Sequence, residues 1–329
     1  MPSAPAFWYA PAPGVCAYAL WPLSMIYRAV SFTQGWLRGL KPYYPAVPLI
    51  SVGNLSVGGS GKTPLVEALA RYYAAEGHAV AVVSKGYGAR EARWPVRVDA
   101  FSHTARQVGD EALMLATQLR NASVAVWVAA NKRDAVRRAE AAGATLIILD
   151  DGFHRHDIAR NADVVVIDGP RGFGNGFMLP AGPLREPAGG LARASFAVVM
   201  DESADRSNQW YGATAYRLKL MPQRSVIEAL RPQSLVAFAG LGNPAKFFDM
   251  LETLGLNVVE AVPFADHHAY TAADLNDLSE LAQRLNAALV TTAKDAAKLP
   301  AGFAEVVDVV PTGSDWPGLL ADLNPRLQS

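Results

Sequence analysis

The most informative part of this sequence is Ser51-Val-Gly-Asn-Leu-Ser-Val-Gly-Gly-Ser-Gly-Lys-Thr-Pro64. An apolar run from Val47 to Val52 predicts a short strand, and the residues from Thr63 to Ala75 have the apolar spacing of a helix. Small residues between a strand and a helix let main-chain N–H groups surround a phosphate, and the helix N-terminus adds positive potential. The stretch therefore predicts a phosphate-binding P-loop in which Lys62 reaches the β- and γ-phosphates and the Thr63 hydroxyl binds Mg²⁺.

One position departs from the usual P-loop pattern. Ser56 stands where the first glycine is expected, but serine is also small. The residues expected to bind the nucleotide are Gly58, Gly59, Ser60, Gly61, Lys62, Thr63 and Pro64.

Apolar runs alternate with helical segments after the P-loop. This alternation predicts an α/β fold with a parallel sheet covered on both faces. The predicted strands are Ala79–Val83, Val124–Ala129, Ala144–Leu149 and Val164–Ile167, and the predicted helices are Glu111–Leu119 and Arg133–Ala142. The stretch from Asp168 to Arg193 is rich in Gly, Pro and Arg and predicts a long functional loop.

A second alternation of strands and helices begins near Ser234 and predicts a smaller α/β domain. Thr271 is expected to N-cap a helix that runs to about Leu285. The predicted organisation is an N-terminal helical segment at 1–44, a P-loop core at 45–228 and the smaller domain at 229–329.

Asp150 and Asp151 follow the apolar run that ends at Leu149. Acidic residues at such a strand end resemble a Walker B element, which holds Mg²⁺ directly or through water. Asn131-Lys-Arg-Asp134 matches a guanine-reading pattern, but it precedes the Walker B strand, whereas in GTPases it follows that strand. We interpret this match mainly as coincidence, although Lys132 or Arg133 could still face phosphates.

The composition limits the classes of partner. The chain has 329 residues, 51% hydrophobic and 18% charged, with a formal net charge of +0, so there is no electrostatic argument for nucleic-acid binding. Its one cysteine, Cys16, cannot form an internal disulfide, which favours the reducing cytoplasm. Nothing in the sequence indicates an obligate protein partner.

The N-terminus differs from the rest of the chain. No acidic residue precedes Glu67, and 10 of the 30 aromatic residues lie in the first 44 positions. The uncharged stretch from Val15 to Tyr27 is shorter than the ~20 residues that span a bilayer. From Pro22 onward the pattern is helical, with a polar stripe of Ser24, Arg28, Ser31, Gln34 and Arg38. These features predict a helix in the membrane interface, and the alternative is a helix packed on its own domain.

Taken together, the motifs resemble the tetraacyldisaccharide 4'-kinase (lipid A 4'-kinase) family. They occur in family order from about residue 50 to 298. Besides the P-loop, they are Ser84-Lys-Gly-Tyr-Gly88, Val108-Gly-Asp-Glu111, Asp150-Asp-Gly-Phe153, Asp163-Val-Val-Val-Ile-Asp168, Gly174-Asn-Gly176, Leu179-Pro-Ala-Gly-Pro-Leu-Arg-Glu-Pro187, Phe264-Ala-Asp-His-His-Ala-Tyr270 and Thr291-Thr-Ala-Lys-Asp295. The resemblance implies a P-loop fold, ATP and Mg²⁺ as cofactors, and phosphorylation of the 4'-hydroxyl of a tetraacylated disaccharide 1-phosphate at the cytoplasmic face of the inner membrane.

The resemblance also implies roles for individual residues. Asp110 matches an aspartate implicated in activating the sugar hydroxyl. Asp266 and His267 match the Asp-His pair of the smaller domain that completes a catalytic dyad with that aspartate. Thr63, Asp150, Asp151 and Glu186 match residues at the metal. Lys85, which is also expected to bind the nucleotide, stands where the family usually has arginine, so the positive charge remains while the planar guanidinium is lost. His154-Arg155 replaces the more usual Gln-His.

The proposed chemistry agrees with these residue types. A carboxylate can take the proton of a sugar hydroxyl as the new P–O bond forms. His267 belongs to the second α/β segment, so its pairing with Asp110 would require the domains to close, which would also exclude water. Without the resemblance, a helix N-cap or a first-turn acid is the slightly better interpretation of Asp110.

A tetraacylated substrate stays in the bilayer, so the N-terminal segment would dock there, with Arg28, Arg38 and Lys41 near anionic headgroups. Arg171 and Arg185 are candidates for the substrate 1-phosphate or the γ-phosphate, or they are solvated loop cations. Two alternatives stay open at this point. One is a P-loop enzyme that acts on a soluble substrate, and the other is a membrane-associated, GTPase-like nucleotide switch that binds protein partners.

Overall fold

A computed structural model of the chain describes residues 4–86, 89, 94–200, 212–242, 244–265, 268–300 and 302–328. Its strands are β1 (Leu49–Gly53), β2 (Val80–Ser84), β3 (Val96–Arg97), β4 (Ala125–Val128), β5 (Leu146–Asp150), β6 (Ala162–Asp168), β7 (Phe196–Met200), β8 (Thr214–Pro222), β9 (Ser234–Ala239), β10 (Asn257–Pro263), β11 (Ala288–Thr292), β12 (Glu305–Val307) and β13 (Val309–Thr312). Its helices are α1 (Val15–Gly39), α2 (Lys62–Ala75), α3 (Ala105–Val108), α4 (Asp110–Leu119), α5 (Lys132–Ala141), α6 (Arg224–Leu230), α7 (Ala245–Thr253), α8 (Ala272–Leu285), α9 (Ala293–Ala296) and α10 (Trp316–Leu327).

Two compact units make up the chain. Of the described residues, those in 4–220 and 311–328 form the larger unit and those in 221–310 form the smaller one. This division differs from the predicted domains, because α10 returns to the larger unit after the smaller one is complete. There, Leu319 and Leu323 are fully buried in the core, and Asn324 accepts a hydrogen bond from the Tyr73 hydroxyl at 3.0 Å.

The larger unit is built on one sheet. Among the described residues its strand order is β13-β8-β7-β6-β1-β5-β2-β4-β3. The strands from β8 to β4 are parallel, and β3 is antiparallel to β4. β1, β2, β5, β6 and β7 are buried along their whole lengths, since helices cover both faces, which confirms the predicted α/β class. β7 and β8 are not among the strands expected from the sequence.

The order of the strands brings the P-loop and the Asp pair to the same edge of the sheet. β1 lies between β5 and β6, so the P-loop after β1 and the Asp pair after β5 share the carboxyl edge of the sheet. Ligands of open parallel sheets bind at this edge.

The smaller unit has its own parallel sheet, in the order β10-β9-β11-β12. Thr271 caps α8 as predicted. Its hydroxyl accepts a hydrogen bond from the Asp274 amide at 3.2 Å, and Asp274 accepts one from the Thr271 amide at 2.8 Å. Asp295 is fully buried and accepts hydrogen bonds from the Gly240 amide at 3.0 Å and the Thr292 hydroxyl at 2.8 Å.

Helix α1 turns small residues toward the protein and large apolar ones outward. It begins at Val15, earlier than predicted, and runs through Pro22 for 25 residues. Ala17 and Ser24 are its buried residues, and a Cβ on Gly35 would lie 3.0 Å from the ring of His156. Ser24, a member of the predicted polar stripe, therefore belongs to the face of α1 that packs against the protein. The exposed large side chains are Val15, Tyr18, Trp21, Leu23, Ile26, Val30, Phe32, Trp36 and Leu37.

By length and composition, α1 is the described helix that could cross a membrane, although the uncharged stretch up to Tyr27 alone is too short. It is held to the loop that follows β6. The Ser24 hydroxyl donates to the Met178 carbonyl at 2.8 Å and accepts from the Ala181 amide at 3.2 Å. In the segment before α1, the Trp8 indole donates to the Pro180 carbonyl at 3.0 Å.

Candidate active site

The P-loop has the strand–loop–helix form predicted from the sequence. α2 begins at Lys62, directly after Gly61, whose φ is +87°. Gly58 also has a positive φ, +109°, and glycine adopts such angles without the steric penalty of a Cβ. The Ser60 hydroxyl is buried and has no hydrogen-bond partner within the described part of the chain. A buried polar group of this kind fits a loop that receives the oxygens of a ligand.

A depression borders the P-loop. Residues 56–60 line it together with Tyr9, Asp168 and Arg171. The Arg171 guanidinium lies 4.8 Å from the centre of the Tyr9 ring, and its Nε lies 4.0 Å from Asp168 Oδ2. Burial raises the pKa of Tyr9, so the neutral phenol faces the cation. Sequence reasoning missed Tyr9, because nothing local connects the N-terminal segment with the P-loop.

Asp150 and Asp151 have different surroundings, although they are neighbours in sequence. The Asp150 carboxylate is buried at the end of β5 and accepts a hydrogen bond from the Ser84 hydroxyl at 2.9 Å. Burial raises the pKa of Asp150, against the opposing charge of Lys132. Ser84, at the end of β2, could have been found from the rule that the carboxyl ends of neighbouring parallel strands meet.

Asp151 turns back toward the P-loop. Its φ is +49°, in the left-handed region. Its Oδ1 lies 3.9 Å from Lys62 Nζ, and Arg185 Nη1 donates to both carboxylate oxygens, at 3.1 and 3.0 Å. Burial alone would raise the pKa of Asp151, but Lys62 and Arg185 outweigh it and hold that pKa well below its usual range.

The other predicted metal ligands are less closely gathered. Glu186 accepts hydrogen bonds from Arg193 at 3.0 and 2.9 Å and lies 3.5 Å from His154 Nδ1. Thr63 is the second residue of α2. Among the described residues, no group of three or more His, Cys, Asp or Glu side chains could hold a metal ion. Mg²⁺ usually takes one or two protein carboxylates and completes its shell with phosphate and water, so the oxygen donors of the Asp pair fit it.

Asp110 is the first residue of α4 and follows Gly109, whose φ is +92°. The segments Ser84–Gly88 and Val108–Glu111 lie side by side where they are described, because a Cβ on Gly86 would come within 3.0 Å of the Val108 carbonyl oxygen. Lys85 is exposed and directly follows β2. Asp266 and His267 lie outside the described residues, so their expected roles stay predictions.

The segment Asn131–Asp134 is engaged with the protein itself. Lys132 is buried, and its ammonium group donates to the main-chain carbonyl oxygens of Asp150 and Asp151, the latter at 2.9 Å. Asn131 caps α5, and its side chain also accepts from Arg155 at 2.9 Å. Arg155 further binds Asp157, at 2.9 and 2.7 Å. These contacts do not support a guanine-reading role.

The chain is similar to a known family over most of its length. The family model of the tetraacyldisaccharide-1-P 4'-kinase (LpxK) matches residues 16–322. A tetraacyldisaccharide 4'-kinase of Rhodospirillum centenum is 41% identical over 320 residues, which cover 95% of this chain and 92% of that protein. One of Gluconobacter oxydans is 40% identical over 317 residues, 95% of this chain and 93% of the relative.

A solved structure has the same fold. LpxK from Aquifex aeolicus in complex with ATP superposes with a TM-score of 0.76 at 25% sequence identity. The match covers 94% of this chain and 99% of that one.

Proposed function

The chain belongs to the tetraacyldisaccharide-1-P 4'-kinase family, and on that premise we propose that it transfers the γ-phosphate of ATP to the 4'-hydroxyl of a tetraacylated glucosamine disaccharide 1-phosphate. The observation that carries this proposal is the cluster of Lys62, Asp151 and Arg185 beside the P-loop. Two cations and a carboxylate at the carboxyl edge of the sheet suit a triphosphate and its metal ion.

Each part of the cluster has a task in this reaction. The main-chain N–H groups of the P-loop and the Lys62 ammonium bind the β- and γ-phosphates. Arg185 leaves the Asp151 carboxylate for the γ-phosphate, to which its planar guanidinium can donate two hydrogen bonds. Thr63, Asp150, Asp151 and Glu186 would hold Mg²⁺, which would neutralise charge on the β- and γ-oxygens.

The chemical step needs a base for the sugar hydroxyl. The bond between O4' and the γ-phosphorus forms, the bond between that phosphorus and the β–γ bridging oxygen breaks, and ADP leaves. We assign the proton of the hydroxyl to the Asp110 carboxylate. Asp110 is partly exposed at the N-terminus of α4.

The test is the transfer of labelled phosphate from ATP to the tetraacyl disaccharide 1-phosphate in detergent micelles. We expect Asp110→Asn, which keeps the shape of the side chain, to lower kcat by roughly 10²-fold or more while the affinity for ATP stays the same. Glu111→Gln is the matched control in the same helical turn. Transfer by wild type that Asp110→Asn leaves unchanged would remove Asp110 from the chemical step but keep the kinase.

A membrane-associated GTP switch is not favoured. Its main support is the Asn131–Asp134 pattern, and in the structure those side chains bind the protein itself. A wild-type protein that binds GTP in preference to ATP and transfers no phosphate would nevertheless refute the kinase.

We also propose that α1 docks on the cytoplasmic face of the inner membrane, where an acylated substrate resides. Its large apolar side chains face away from the protein, and Arg28 and Arg38 supply positive charge beside them. This combination is typical of helices that lie at an anionic lipid surface.

Co-sedimentation with phosphatidylglycerol vesicles tests the docking. Ile26→Asp on α1, where the wild-type side chain is 62% exposed, should weaken binding to the vesicles. Phe101→Asp is the control, because Phe101 is 85% exposed but lies outside α1. Equal binding by both variants and wild type would contradict docking through α1.

A further inference from the structure

Lys132 is a buried cation that the proposed reaction does not use. It is the first residue of α5 and is 3% exposed. Removing an ammonium group from water is costly unless other groups replace its hydration. Two main-chain carbonyls do so here, those of Asp150 and Asp151. The Lys132 side-chain nitrogen is thus engaged by the main chain of the protein.

The carbonyls that Lys132 binds belong to the turn that carries the Asp pair. Asp151 has a φ of +49°, in the left-handed region that residues other than glycine seldom adopt, although aspartate does so more often than most. The next residue, Gly152, donates its amide hydrogen to the Val52 carbonyl at 3.1 Å, and a Cβ on Gly152 would lie 2.6 Å from Ser51 Oγ. The turn is therefore fixed from two sides, by Lys132 at its carbonyls and by β1 at its amide.

The shape of this turn decides where the Asp151 carboxylate lies. From a left-handed residue directly after β5, that carboxylate reaches Lys62 Nζ at 3.9 Å and Arg185 Nη1 at 3.0 Å. In a regular extension of the strand, the side chain would leave in a different direction. A change of the turn would thus move the carboxylate away from the P-loop lysine.

We propose that Lys132 is a positioning residue that locks the turn Asp150–Gly152 through its two main-chain carbonyls and so places the Asp151 carboxylate for phosphoryl transfer. This inference rests on the proposed kinase function. It explains the lysine of the Asn131–Asp134 pattern without any contact to a nucleotide base.

The first test replaces Lys132 with methionine, which has a similar unbranched chain but no donor. Loss of groups that orient metal ligands typically costs 10–100-fold in activity, and we expect kcat of Lys132→Met to fall in that range. The KM for ATP should change much less, because the P-loop and Lys62 are untouched. Lys132→Arg keeps charged donors and should recover most of kcat. Arg138→Met, at an exposed position of the same helix, is the matched control.

Lys132→Met could also reduce the folded fraction, so Lys132→Gln is a milder second variant. Its amide nitrogen stops one bond short of the lysine nitrogen and cannot reach both carbonyls. All assays are run well below the Tm of each variant. A loss of kcat that tracks only the folded fraction, or a kcat within twofold of wild type in both variants, overturns the inference.

Hydrogen exchange provides a readout that does not depend on activity. The Gly152 amide should exchange faster in Lys132→Met and Lys132→Gln than in wild type and Arg138→Met, at equal global stability. Unchanged exchange in the peptide that contains Gly152 overturns the inference, even if kcat falls. If wild type transfers no phosphate, the proposed function fails, and the exchange data still decide whether Lys132 locks the turn.

Discussion

Replacement of Arg185 with methionine separates a structural role of this residue from a functional one. Arg185 donates to both oxygens of Asp151, at 3.1 and 3.0 Å. If Arg185 does not bind phosphate, these two residues form only an ordinary ion pair. Its side chain is 29% exposed and that of Asp151 is 39% exposed, so water screens the pair. Such pairs contribute about 0–1 kcal/mol to stability.

The two roles predict effects of different size. A loss of at most about 1 kcal/mol lowers the Tm of a domain of this size by only about 2–4 °C. Asp151 would still face Lys62 at 3.9 Å, so no carboxylate is left without a cation. An arginine that binds the transferring phosphoryl group is worth about 10³–10⁵ in kcat. We therefore expect Arg185→Met to lower kcat by about 10³-fold while the Tm falls by no more than about 4 °C.

The assay is the transfer of labelled phosphate in micelles, with Tm measured on the same samples by differential scanning fluorimetry. Arg224→Met is the matched control, because Arg224 forms a 2.8 Å pair with Glu228 in the smaller unit. Arg185→Lys should recover part of kcat, since lysine keeps the positive charge but lacks the planar guanidinium that donates two parallel hydrogen bonds. A kcat of Arg185→Met within threefold of wild type would refute the functional role and leave an ordinary ion pair.

Three further changes test the packing and the charges. Gly53→Ala would place a Cβ 2.5 Å from the Cβ of Phe153 and should cost about 1–3 kcal/mol in urea unfolding, whereas Gly14→Ala, with nothing within 4 Å, should be nearly neutral. Ser24→Val leaves the Ala181 amide without its partner, although the Met178 carbonyl keeps the hydrogen bond from the Gly182 amide, so it should cost about 1–3 kcal/mol, and an unchanged Tm would contradict the observed packing of α1. The folded-state pKa of Asp151 lies below its unfolded value, so the stability that it contributes is present above about pH 4 and is lost as the pH falls further. Wild type should therefore unfold at a higher temperature than Asp151→Asn at pH 7, with a gap that closes toward pH 3, and a gap that widens would show that the shift has the opposite sign.

Much of the fold follows from local patterns in the sequence. The P-loop, the alternation of strands and helices, and the cap at Thr271 are predicted correctly, because each depends on residues close together in the chain. The position of Asp150 at the end of β5 follows in the same way from the apolar run before it. The predicted strand ends were sufficient to bring the Asp pair to the edge that carries the P-loop.

The P-loop, the α/β class and the family can all be predicted from local sequence patterns. The pairs of side chains that meet, in contrast, depend on how the chain folds. Arg185 reaches Asp151 across 34 residues, Lys132 reaches the Asp151 carbonyl across 19, and the polar stripe of α1 turns Ser24 inward to the loop that contains Met178. Local propensity sets a helix or a strand within a few residues, but the partners of a side chain depend on which strands become neighbours and on the conformation of loops between them. For that reason the sequence predicted the Walker B pair, whereas the contacts of Lys132 and Arg185 with that pair are seen only in the folded chain.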